Sequence, residues 1–95
     1  MTETLTLQDF ADLDDGALPA LIGDQVLPLK VVEARALQSP SPRSEPFVVV
    51  LQGPRDPMLL QGTHAFTHPR RGRIQFFIVP ISRDATHSNY EAVFN

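Results

Sequence analysis

Two stretches of this chain are apolar on both faces, and that narrows the folds open to it. Phe47-Val48-Val49-Val50-Leu51 is a near-continuous apolar run. From Arg73 to Ile81, Ile74, Phe76 and Ile78 share one face, and Phe77, Val79 and Ile81 share the other. Successive residues of a strand face opposite ways, so such runs need cover on both sides. The chain has only 95 residues, and a domain near that size hides roughly 60–70% of the surface its unfolded chain exposes. A single flat layer would leave one apolar face wet. Either the sheet curls into a barrel with a helix capping it, or a partner covers the outside.

The rest of the chain supplies the other elements. Leu5 to Leu13 reads as a short helix, with Leu5, Phe10, Ala11 and Leu13 on one face, Thr4 or Thr6 as the cap and Asp14-Asp15-Gly16 as the stop. A helix this short needs a surface to pack on. Leu18 to Ile22 is a second apolar stretch, leading to a turn at Gly23-Asp24. Gln25 to Leu37 alternates imperfectly: Leu27, Leu29 and Val31 share a face that Glu33 and Arg35 continue, and Pro28 marks an edge or a break. Gln38 to Pro46 holds three prolines and three serines in nine residues and reads as a long loop. After a turn at 53–57, short strands are expected at 59–61 and 63–68, then a hairpin tip at Pro69-Arg70-Arg71-Gly72. Residues 83–88 form a polar connection, and the closing strand turns Tyr90, Ala92 and Phe94 one way and Val93 the other.

This pattern predicts a mostly β protein, a small antiparallel barrel or sandwich of five to six strands with a short N-terminal helix. It is read as a single domain over residues 1–95. Residues 1–24 form a helical or irregular lead-in, and residues 25–95 form the barrel or sandwich.

Charge and composition exclude several classes of function. The formal net charge is −3 and the pI about 5.4, which gives no broad footprint for nucleic acid or an anionic membrane. With no cysteine there is no disulfide and no thiolate metal site. The opening Met1-Thr2-Glu3-Thr4 lacks the basic start and apolar core of a signal peptide, and no run approaches the ~20 apolar residues of a membrane span. The expectation is a cytoplasmic protein.

Candidate chemistry is sparse. His64 and His68 are four apart, which on a strand places them about 13 Å from each other on one face, too far to share one zinc ion. They read better as exposed or hydrogen-bonded strand histidines. His87 and Ser88 are adjacent and face opposite ways on a strand. No Gly-x-Ser-x-Gly elbow is present. Asp12, Asp14 and Asp15 lack the following glutamate of a calcium loop and read as a solvated turn. Arg70, Arg71 and Arg73 form the one local basic cluster, a hairpin tip that fits a solvated turn or a salt-bridging contact to a partner better than a nucleic-acid groove. No catalytic residue, cofactor or metal ligand is therefore assigned.

Several segments resemble a known family: 47–54, Leu60-Gln61-Gly62-Thr63, His68-Pro69 with Gly72, Phe76 to Ile81, and the closing Tyr90-Glu91-Ala92-Val93-Phe94-Asn95, with Phe10 and Leu21-Ile22-Gly23-Asp24 upstream. Together they are similar to a bacterial small-protein family described as a domain of unknown function, whose members are often encoded near phage-tail-collar-like proteins. The resemblance implies an accessory or structural role beside tail-like fibres, in association with an assembled particle or fibre, and brings no catalytic residues. The expectation is a non-enzymatic binding or assembly module, with self-association or a protein partner. Val48, Val50, Phe77, Val79, Arg70, Arg71 and Arg73 are its candidate partner surface. The alternative is a small β-barrel that holds an apolar ligand among Phe47, Phe66, Phe76 or Phe77.

Overall fold

The computed structural model describes residues 5–37 and 46–94. The proline- and serine-rich loop expected at 38–46 falls almost wholly outside them, as does Asn95. A helix α1 (Leu7–Ala11) and a single 3₁₀ turn (Asp14–Gly16) precede seven strands: β1 (Ala20–Ile22), β2 (Gln25–Leu27), β3 (Lys30–Ala36), β4 (Phe47–Pro54), β5 (Gly62–His68), β6 (Gly72–Arg83) and β7 (His87–Phe94). All are antiparallel and join in one sheet of order β2-β1-β5-β6-β7-β4-β3. The sheet curls into a half-barrel with two open edges.

This departs from the expected five or six strands. The apolar stretch at 18–22 supplies β1, so the sheet begins inside the supposed lead-in. The Gly23-Asp24 turn folds β1 back on β2 with Ile22 opposite Gln25. Pro28 separates β2 from β3, as its missing N–H requires. Residues 59–61 form no strand, because the Leu59 N–H donates to the Tyr90 hydroxyl at 2.8 Å and not to a ladder.

β3 also changes face midway. A β-bulge between Val31 and Glu33 adds one residue against β4. Val31 and Ala34 therefore pack on the core, while Glu33 and Arg35 point to the opposite face, contrary to the simple alternation.

β6 is the strand that shapes the molecule. Its first part pairs with β5, from Gly72 opposite His68 to Ile78 opposite Gly62. Its second part pairs with β7, from Val79 opposite Glu91 to Arg83 opposite Ser88, with a bulge near Ile81. One long strand thus serves two half-sheets, and the curl occurs along it.

The concave face is the core. Phe10 of α1 sits with its ring centroid 5.8 Å from Phe47, 5.6 Å from Phe76 and 5.4 Å from Phe94. Phe47 stacks on its cross-strand partner Phe94 at 4.5 Å, and Phe66 on Phe76 at 4.2 Å. Aromatic pairs at these spacings add roughly 0.5–1.5 kcal/mol each beyond burial. The Asp9 carboxylate accepts from the Thr6 N–H at 2.8 Å and from the Thr6 hydroxyl at 3.2 Å, which fixes the start of α1.

Candidate functional site

Register places the outward side chains in rows across the convex face. One row runs Glu33, Val50, Glu91, Val79 along β3, β4, β7 and β6. The next runs Arg35, Val48, Val93. Phe77 lies two residues before Val79 on the same face of β6, opposite Thr63 of β5. A polar row of Lys30, Gln52, Asn89 and Ser82 bounds the patch at one end. There Gln52 donates to Asn89 at 3.2 Å, and Asn89 to Ser82 at 2.9 Å.

Exposure divides the expected partner residues. Phe77 is 51% exposed, and Val50 and Val79 are half-buried. Val48 is only 2% exposed, which corrects its expected place on an exposed patch. It is a short side chain on an inner strand, flanked in its row by Arg35 and Val93. Val93 at 50% and Ile81 at 49% complete the exposed apolar group. Val93 was legible from the alternation of β7. Ile81 stays on the face that alternation shares among Phe77, Val79 and Ile81, at a bulge that no pattern announces.

The basic tip belongs to a different structure. Arg71 pairs with Asp9 of α1 at 2.8 Å, and Arg70 approaches Asp12 at 3.8 Å. His68 is buried between them. Its Nδ1 accepts from the Arg70 and Arg71 backbone N–H groups at 3.1 and 3.2 Å, so its proton lies on Nε2, which donates to the Asp9 carbonyl at 2.7 Å. The cluster expected to meet a partner thus clips α1 onto the β5–β6 hairpin. Burial alone would raise the pKa of Asp9, but the Arg71 guanidinium and the Thr6 donors outweigh it and hold the carboxyl below its ordinary value. Arg73 alone of the three projects from the exposed part of β6.

The other polar candidates stay apart. His64 meets the Leu60 carbonyl at 2.8 Å, whereas His87 lies in an exposed turn beside Thr86. In that turn, backbone N–H bonds from Thr86 and His87 hold the Asp84 carboxyl below its ordinary value. Among the described residues no three His, Asp or Glu side chains come together to hold a metal. An open groove of about 760 Å³, lined by Asp15, Lys30, Gln52 and His87 among others, lies at one end of the sheet. Gly53 forms part of its floor, where a Cβ would meet Leu29 at 2.0 Å. The rings named for a ligand cavity are otherwise engaged: Phe66 and Phe76 stack on each other, Phe47 packs on Phe10 and Phe94, and Phe77 faces the convex side. No helix among the described residues is long and apolar enough to cross a membrane.

A family model described as a domain of unknown function (DUF6916) matches residues 5–94. No curated protein and no solved structure matches the chain.

Proposed function

The chain belongs to the DUF6916 family of domains of unknown function, and within that family we propose a non-enzymatic role for it, as a binding or assembly module that docks a protein partner on the convex face of its half-barrel. The observation that carries this reading is Phe77, a half-exposed aromatic ring with Val79, Ile81, Val50 and Val93 around it. Scattered apolar side chains are normal on a surface, but a grouped set on a sheet face marks an interaction site. An aromatic anchor with a polar rim is the usual anatomy of a binding hot spot, and here Glu91 stands beside Val79 across the β6–β7 ladder.

The kind of partner comes from the family resemblance. A tail-fibre-like or collar-domain protein encoded beside the chain is the proposed partner, with the small protein as its accessory component or chaperone. Co-expression with that neighbour tests the reading. The two should co-purify, and Phe77→Lys or Val93→Lys should abolish the complex while leaving the melting curve in place. No complex, or one that both substitutions leave intact, would overturn it.

A further inference from the structure

The β3 edge of the sheet carries its own complement. Leu37 donates its N–H to the Pro46 carbonyl at 2.8 Å, which makes that pair a hydrogen-bonded one in the β3–β4 ladder. Bonded and non-bonded pairs alternate along an antiparallel ladder. Arg35 opposite Val48 is then bonded, while Ala36 opposite Phe47 and Ala34 opposite Val49 are not. The N–H and C=O of Ala34 and Ala36 therefore point away from β4, across the outer edge, because β3 is the last strand in the sheet.

The start of this edge is covered. Ala17 bridges to Lys30, the Leu18 N–H donates to the Leu29 carbonyl, and Gly16 lies so close that a Cβ there would meet the Val31 carbonyl at 2.4 Å. From Val32 to Ala36 the edge is open among the described residues. On its concave side a groove of about 310 Å³ lies between this stretch and α1 with the turn after it, lined by Phe10, Ala11, Leu13, Val32 and Ala34 among others.

We infer that this edge pairs antiparallel with the same edge of a second copy, in the register that sets Ala34 opposite Ala34. The charges select both the occupant and the register. Glu33 and Arg35 are two apart on one face and already pair at 2.5 Å within the chain. In this register each Glu33 stands opposite the second copy's Arg35 in a non-bonded pair, where cross-strand side chains come closest. Shifting the register so that Ala34 faces Ala36 would set the two Arg35 side chains directly opposite, which is unfavourable. Edge charges usually keep strands apart through like-charge opposition. Here the signs alternate, so the self-paired arrangement escapes that repulsion. The interface uses the edge and leaves the convex face free, so it stands or falls separately from the partner reading.

Analytical ultracentrifugation of the full chain across a concentration series tests it. The wild type should dimerise, and Glu33→Arg or Arg35→Glu alone should weaken the dimer roughly tenfold or more, since each creates two like-charge pairs. The double swap, Glu33→Arg with Arg35→Glu, should restore it. At concentrations where all four proteins are monomeric, their circular dichroism melts should nearly coincide, because both side chains are exposed, while at higher concentrations the dimeric forms should melt later. A wild type that stays monomeric throughout would overturn the inference, as would a dimer indifferent to the single reversals or a double swap that fails to rescue.

Discussion

His68 is a hydrogen-bonded strand histidine whose work is to satisfy backbone. Replacing it by alanine strands the Asp9 carbonyl and two N–H groups of the hairpin turn. Unsatisfied buried groups cost about 1–3 kcal/mol each, so His68→Ala should lower stability by about 3 kcal/mol in a urea melt, after partial rescue by water. His64→Ala should stay within about 1 kcal/mol, and equal losses would contradict this division of roles. Zinc added at neutral pH should leave the melting temperature of the wild type unchanged, since a bound metal would raise it with concentration. A saturable rise that His64→Ala removes would refute that. Asp9 gives the pH dependence. Its folded pKa is lowered, so its contribution is complete above the unfolded value of ~3.9 and is lost as pH falls through the folded value. Stability should therefore drop below about pH 4, and Asp9→Asn should be less stable at neutral pH but flatter through that acid window. Parallel acid limbs in the two proteins would disprove the ion pair's role.

At the scale of elements, α1 is five residues long and has no stability of its own. Phe10 and the Asp9–His68–Arg71 clip hold it on the concave face. β6 separates an inner from an outer side along its length, with Phe76 buried and Phe77 half exposed. Phe10→Ala and Phe76→Ala should each cost about 3–5 kcal/mol, whereas Phe77→Ala should change stability by about 0.5 kcal/mol or little more. Chemical denaturation of the three variants checks this, and a Phe77→Ala loss as large as that of Phe76→Ala would mean the faces are reversed.

For the whole molecule, the question is how an open half-barrel meets its neighbours. The chain has a Cα radius of gyration of 12.9 Å and extents of 36 × 27 × 24 Å. Copies joined at β3 would extend one sheet sideways into an elongated particle, while copies stacked on Phe77 would form a more compact one. Small-angle scattering on the dimer separates the two shapes. The edge pairing predicts the elongated profile, and a compact dimer would assign self-association to the convex face.

The helix, most of the turns and the longer strands were legible in the residues because local chemistry sets them, whereas β1 and the missing strand at 59–61 were not. Pro28 cannot join a ladder, Gly23-Asp24 and Arg71-Gly72 turn the chain, and the alternation of Ile74, Phe76 and Ile78 names the inner face of β6 before any fold is known. The opposed faces of β7 were read in the same way. Three things were decided only by tertiary structure. The bulges at Val32 and Ile81 depend on which strand lies alongside, and the first moved Glu33 and Arg35 to the other face without any local signal. Val48 is buried because of its neighbours across the ladder, which a strand's own alternation does not encode. The basic tip became a clip because folding brings Arg71 to Asp9, 62 positions earlier in the chain. Turns and periodicity are properties of a few adjacent residues and can be read along the sequence. Register, burial and ion pairing join residues distant in sequence, and only the folded chain brings them together.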